Sequence, residues 1–157
     1  MIAIKKNNEY KVANYGQWDW YPSGQWLSLL KILSEIDIGI LSEKVDLIRP
    51  ITEAELDEIP DTPDWPELYP WLSRDAWADI ITHIMNDKLI LRMDHINLKP
   101  NIWIEWSYLI DLDNNTFSMF KDTICNDKWV QYNSPMACYK LDELPTEEVW
   151  KERFKGF

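Results

Sequence analysis

The chain has 157 residues, of which 46% are hydrophobic, and its formal net charge is −11. This is enough apolar material for one domain with its own core and no cross-links. The negative charge argues against direct binding of DNA or RNA, and the apolar runs are too short to suggest a membrane protein. Residues 1–6 show no secretory leader, and Cys125 and Cys138 lack the spacing of a CxxC pair. We therefore expect reduced thiols and a cytoplasmic location.

The N-terminal part of the chain has the pattern of a β-hairpin followed by helices. Two β-rich stretches, residues 2–6 and 10–15, flank the turn sequence Asn7-Asn8-Glu9. An aromatic loop, residues 15–26, comes next. Within it, Ser23 is predicted to cap a helix, because apolar residues recur at helical spacing behind it.

Further helices are predicted on both sides of a proline-rich loop. One runs from about residue 38 to 48, and Thr52 with Glu55 fits a capping box. Residues 60–70 contain four prolines and are predicted to be a loop without regular helix or strand. Ser73 is then predicted to cap an amphipathic helix with an apolar inner face. That face comprises Trp77, Ile80, Ile81, Ile84 and Met85.

The C-terminal third is predicted to return to strands and to end in a helix. The apolar residues 89–93 and 102–112 indicate strands, and an Asp-Asn-Asn turn at 113–115 predicts a hairpin into residues 116–120. Residues 129–132 are expected to add a strand. A last helix should begin after Pro145, with an inner face of Val149, Trp150 and Phe154.

This order of elements lacks the alternation of strands and helices that is typical of a parallel α/β fold. We therefore predict a single α+β domain over residues 1–157. Its antiparallel sheet would combine the N-terminal hairpin with the C-terminal strands, and its helices would pack to one side.

Four stretches of the chain resemble a family of small proteins encoded by bacterial phages and prophages. They begin at Tyr15 (YGQWDWYPSGQW), Tyr69 (YPWLSRD), Glu105 (EWSYLIDLDNNTF) and Leu144 (LPTEE). The resemblance covers most of the chain. It implies a phage or prophage genomic setting, and therefore a bacterial host cell, and it implies no particular reaction.

The first stretch departs from the family pattern YGQWDGYPSGQG. Trp20 and Trp26 stand where glycine is usual, and Trp77 also replaces a small residue. Glycine at such positions permits positive φ or a close approach of backbones. The chain has four Gly and ten Trp. One hypothesis is therefore that UGA codons read as glycine in the source were translated as tryptophan.

The aromatic loop is the first candidate site. Its rings could stack on a planar, nucleotide-like ligand while its polar groups read the ligand's edge. The same residues equally suit packing beneath the first helix and hydrogen bonding within a turn. The candidate ligand-binding residues are Gln17, Trp18, Asp19, Tyr21, Ser23 and Gln25.

The second candidate is the acidic segment, residues 51–87, which holds ten acidic residues and one basic residue and so carries −9 of the net charge. A field of this sign attracts basic protein surfaces, although acidity also serves solubility alone. Prolines would hold the carboxylates in place, and aromatic rings would supply contacts for a partner. The candidate interface residues are Glu53, Glu55, Asp57, Glu58, Asp61, Asp64, Trp65, Tyr69 and Trp71.

Signals for metal binding and catalysis are weak. Asp75, Asp79 and His83 lie four residues apart and would form one helical stripe able to ligate a divalent metal, but a solvated helix face looks the same. No phosphate-loop, zinc-protease or nucleophile-elbow motif is present, and no cofactor is expected.

The sequence therefore favours a non-catalytic protein that binds and inhibits a basic host protein, either a defence protein or one that handles nucleic acid. A small-molecule-binding protein and a small hydrolase are the alternatives. The oligomeric state is left open.

Overall fold

The structure, a computed structural model, describes residues 1–16, 22–92, 102–125 and 130–155. The strands within them are β1 (Ile2–Lys6), β2 (Glu9–Asn14), β3 (Arg49–Pro50), β4 (Ile90–Leu91), β5 (Ile102–Asp111), β6 (Thr116–Cys125), β7 (Val130–Gln131) and β8 (Ala137–Lys140). The α-helices are α1 (Leu27–Glu35), α2 (Ile38–Val45), α3 (Glu53–Asp57), α4 (Trp65–Leu68), α5 (Asp79–Met85) and α6 (Glu147–Arg153). A π turn, Pro22–Trp26, leads into α1, and two 3₁₀ turns, Pro70–Leu72 and Arg74–Ala76, precede α5.

A curled, mostly antiparallel sheet joins the two ends of the chain. Its strand order is β2-β1-β5-β6, and β7 and β8 both pair with β6. The exception to antiparallel pairing in this sheet is β1 with β5, which run parallel with Ile2 opposite Tyr108. A separate parallel pair is formed by β3 and β4. The chain between β2 and β5 carries most of the helices and brings β5 back beside β1 in the same direction. The predicted α+β fold is confirmed, and the sheet is mixed.

Two hairpin turns are joined by one carboxylate. The β1–β2 turn places Asn7 and Asn8 at φ values of 54° and 60°, a conformation that asparagine tolerates better than most residues. Asp113, in the β5–β6 turn, accepts hydrogen bonds from the backbone N–H of Asn8 at 2.8 Å and of Asn7 at 2.7 Å. These bonds lower the pKa of Asp113.

The larger core lies between one face of the sheet and the helices. Trp26 is fully buried there, with its ring 4.0 Å from that of Phe117 on β6 and 4.2 Å from that of Trp150 on α6. Buried leucines of α1 and isoleucines of α5 complete this core. Met1, Ile104 and Phe120 belong to a second, smaller apolar cluster.

Several helix boundaries differ from those predicted. Ser23 does not cap α1, because the chain already turns helically through Pro22–Trp26 and Trp26 continues into α1 in helical conformation. The cap of α2 is Asp37, whose Oδ1 accepts from Ile40 N at 3.1 Å. The capping box of Thr52 and Glu55 is confirmed.

The helix predicted from Ser73 is broken in two. Ser73 caps only a 3₁₀ turn, through a 3.1 Å bond from Asp75 N to its Oγ. Trp77 then adopts φ 47° and ψ −136°, a conformation that does not occur within a helix. The helix α5 therefore begins only at Asp79. The inward positions Ile80, Ile81 and Ile84 are nevertheless buried as predicted.

The proline-rich loop is more regular than predicted, because it holds α4 and a 3₁₀ turn. Pro66 and Pro70 lie in the first turns of these elements. The backbone N–H that proline lacks would have no acceptor within the helix at such positions. In α6, Trp150 is buried as expected, but Val149 is 57% exposed rather than inward. No helix in the described residues has the length and apolar character needed to cross a membrane.

Candidate functional site

The acidic segment begins with α3, whose position is fixed by its own charges. Glu55 Oε2 accepts from Thr52 N at 2.9 Å, and Thr52 Oγ1 accepts from Glu55 N at 3.2 Å. Arg49 donates to both carboxylate oxygens of Glu55, at 2.8 and 2.5 Å. The arginine bonds, followed by those from Thr52, lower the pKa of Glu55 to about 2. Glu55, one of the predicted interface residues, is therefore engaged within the fold.

Five carboxylates between residues 53 and 67 are exposed and form no hydrogen bond or ion pair with the described residues. They are Glu53, Asp57, Glu58, Asp61 and Glu67, called here the free carboxylates. Asp64 is exposed as well and stands at the N-terminus of α4. The free carboxylates lie within residues 53–67, on α3, on α4 and on the turns between them. A partner can reach these charges without breaking a contact of the fold.

Among the aromatic residues predicted as interface contacts, Trp71 packs against the rest of the domain. Trp71 packs on the larger core, its ring lies 5.7 Å from that of Tyr69 and 6.3 Å from that of His83, and Lys88 Nζ sits 4.4 Å from its centroid. Trp65, like Tyr69 and Trp71, is only half-buried. Trp71 is therefore a structural contact first.

Leu68 is an interface candidate that the sequence reasoning missed. Its side chain is 56% exposed, in the same helical turn as the free carboxylate Glu67. An exposed apolar side chain of this kind can supply an apolar contact to an interface whose rim is polar. Sequence periodicity could not identify it, because a single turn of helix has no repeating apolar face.

The predicted metal stripe is not formed on one helix. Asp75 belongs to the 3₁₀ turn before the break at Trp77, whereas Asp79 and His83 lie on α5. Partial burial lowers the pKa of His83, with Lys88 adding to the effect and Asp79 opposing it. The described ranges contain no group of three or more side chains able to hold a metal ion.

The aromatic loop is described only in part. Gln17, Trp18, Asp19 and Tyr21 lie outside the described residues, so their role in ligand binding stays a prediction. Ser23 is exposed. Gln25 is almost fully buried, and its Oε1 accepts a 3.0 Å hydrogen bond from Ala78 N. Gln25 thus ties the π turn to the start of α5, and Trp26 belongs to the core.

No family model, curated protein or solved structure matches the chain.

Proposed function

We propose that the acidic segment binds a basic surface of another protein and blocks that surface. The observation that carries the proposal is the density of the free carboxylates between residues 53 and 67, on a backbone whose first helix is fixed by the capping box and by Arg49. Several unpaired charges of one sign on ordered backbone attract an opposite surface and accelerate encounter at low salt.

Charge alone does not make this interface tight. An exposed ion pair is worth about 0.2–1 kcal/mol, so the free carboxylates together contribute a few kcal/mol at most. Association itself costs roughly 4–15 kcal/mol. Burial of an exposed leucine adds about 1.5–3 kcal/mol, so we expect the partner to cover Leu68 as well. The partner therefore combines Lys or Arg residues with an apolar contact.

The resemblance to phage and prophage proteins supports a bacterial host protein as that partner. Proteins that hold nucleic acid present basic grooves, and such grooves would attract this segment. Inhibition of a host defence or nucleic-acid-handling protein in the cytoplasm is accordingly the function that we propose. Occupation of the basic surface would be sufficient for it, and no catalytic step is required.

The test compares two variants that change net charge equally. In the first, the five free carboxylates are replaced by Asn or Gln. In the second, the matched control, five exposed carboxylates elsewhere are replaced by Gln, namely Glu35, Glu43, Glu105, Glu143 and Glu152. Binding of an arginine-rich peptide probe is measured by fluorescence anisotropy from about 50 to 300 mM salt. Added salt shortens the Debye length over this range and so weakens the attraction between exposed charges.

We expect the first variant to lose most of the affinity and salt dependence, and the control to keep most of both. Capture from the host lysate should then give a basic protein that the first variant fails to retain. A Leu68→Ser variant should weaken binding to that protein without changing its salt dependence. Equal losses in the two neutralised variants would mean that only net charge matters, and would reject the segment as the interface.

A further inference from the structure

A groove lies between α1 and the segment that enters α6. One wall is a stripe of α1 at the helical spacing i, i+3, i+4 and i+7, formed by Leu27, Leu30, Lys31 and Ser34. The other wall is the extended run of residues 144–147. The cavity between them has a volume of about 290 Å³, at the small end of the range for ligand sites in proteins.

The apolar and charged groups of the groove are arranged separately. Leu30 is buried, and Leu27, Leu144 and Pro145 are half-buried, so these four give the groove an apolar floor. The charged groups stand on opposite walls. Lys31 is exposed on the α1 wall, and Glu147 is exposed on the α6 wall.

Both charges are available to a ligand. Lys31 Nζ makes no ion pair in the part of the chain that the structure describes. Among the described residues, Glu147 pairs with the exposed Lys151, one turn further along α6, and a carboxylate accepts more than one donor. Of the two hydroxyls on the walls, Ser34 Oγ donates within α1 to Lys31 O at 2.8 Å, while Thr146 Oγ1 accepts weakly from Val149 N at 3.5 Å. The two hydroxyls are therefore turned mainly to their own helices.

We propose that this groove binds a small zwitterion with an apolar side chain, of the chemical class of the free aliphatic or aromatic amino acids. The ligand's carboxylate would meet Lys31, its ammonium group would meet Glu147, and its side chain would cover the leucine floor. A simple organic anion would face Glu147, and a simple cation would face Lys31. A ligand that carries both charges satisfies both walls, and a leucine-sized molecule suits the volume.

The probe is L-leucine, titrated into the full chain by calorimetry. It is compared with 4-methylpentanoate, which lacks the ammonium group, with 3-methylbutylamine, which lacks the carboxylate, and with glycine, which lacks the apolar side chain. Loss of one charge-assisted contact is expected to weaken binding about tenfold. The anion and the amine should therefore each bind about tenfold more weakly than leucine, or not at all. Glycine keeps both charges but cannot cover the leucine floor, so it too should bind more weakly than leucine.

Charge variants locate the binding in the groove. Lys31→Met and Glu147→Gln should each weaken leucine binding about tenfold. Lys155→Met and Glu35→Gln change the same kinds of side chain outside the groove lining and should leave binding unchanged. A Ser34→Phe variant, which fills the groove from an exposed position, should abolish binding while the circular dichroism spectrum stays that of the wild type.

Three results would overturn the proposal. The first is the absence of binding heat with leucine at about 10 mM, a concentration above millimolar dissociation constants. The others are binding of the anion or the amine as tight as that of leucine, and wild-type affinity in both the Lys31 and the Glu147 variants. The proposal is independent of the acidic segment. The five-carboxylate variant described above should bind leucine normally.

Discussion

Substitution of Trp77 by glycine tests whether the backbone at this residue is strained. Its φ of 47° and ψ of −136° lie outside the left-handed helical region and close to conformations that only glycine adopts readily. Its indole Nε1 is buried and has no hydrogen-bond partner in the described part of the chain. The ring itself is only half-buried against the larger core.

The stabilising and destabilising effects of Trp77→Gly on the free energy of unfolding nearly cancel. Relief of the backbone strain is worth about 1–3 kcal/mol, and removal of an unpaired indole N–H about 1–3 kcal/mol. Against these gains stands the loss of ring packing, which costs about 3–5 kcal/mol for a fully buried aromatic residue and less for this half-buried ring. We therefore expect the free energy of unfolding of Trp77→Gly to lie within about 2 kcal/mol of the wild-type value.

The comparison of Trp77→Gly with Trp77→Ala isolates the backbone, because both variants lack the ring. At an ordinary site, glycine is less stable than alanine by about 0.5–1 kcal/mol. At residue 77 we expect the opposite order, with the glycine variant more stable by about 1–2 kcal/mol, because the Cβ of alanine keeps the strain. Urea unfolding followed by circular dichroism measures both values.

Trp26 is the control, since its φ of −63° and ψ of −46° are helical. There the glycine variant should be less stable than the alanine variant by about 1 kcal/mol, and both should lose the stacking on Phe117 and Trp150. Alanine more stable than glycine at residue 77 would refute the argument for strain. The hypothesis of recoded glycine codons is checked separately in the coding DNA, where TGG at codons 20, 26 and 77 would contradict it.

Other predictions concern polar groups whose hydrogen bonds are made within the fold. Ser107→Ala should lower the free energy of unfolding by about 1–3 kcal/mol, because it leaves the buried hydroxyl of Thr123 without its partner. Adding Thr123→Val should recover most of this stability, and a further loss of similar size would refute the reasoning. Gln25→Ala should cost a similar amount by orphaning the buried Ala78 N–H, and unchanged urea unfolding would contradict that. The Glu55 carboxyl should titrate near pH 2 by NMR. Because its folded pKa lies below the ordinary 4.5, its contribution to stability is present above that pH and lost as the pH falls towards 2, so Glu55→Gln should flatten the acid limb of the stability curve.

Local sequence patterns predicted those elements that local chemistry determines. The Asn7-Asn8 turn, the capping box at Thr52 and the hairpin at residues 113–115 depend on interactions between close neighbours, and all three are present. The isoleucine stripe of α5 was also readable, because helical spacing alone decides which side chains face the core.

Features that depend on distant parts of the chain were not predictable in the same way. The parallel pairing of β1 with β5 joins segments about a hundred residues apart, and neither strand carries a sign of its partner's direction. The apolar residues from Trp77 onward recur at helical spacing in the sequence, so periodicity predicted one continuous helix. The structure breaks that helix at Trp77. Gln25 is buried where it meets Ala78, far along the chain, and local sequence patterns do not encode such a contact. The groove beside Lys31 is likewise a product of helix packing, with no sequence motif of its own.

The distribution of unpaired carboxylates bears on whether acidity serves solubility or recognition. Within the acidic segment the fold uses some carboxylates itself, since Glu55 binds Arg49 and Asp87 pairs with Lys44. Five others stay free between residues 53 and 67, whereas the five matched control carboxylates are spread from Glu35 to Glu152. A surface that needs only solubility gains nothing from bringing like charges together, because their mutual repulsion opposes folding. Under the proposed function, dense, unpaired carboxylates on capped and proline-bounded backbone would instead serve to attract an opposite surface. The two neutralised variants separate these explanations because they differ in charge density and are identical in net charge.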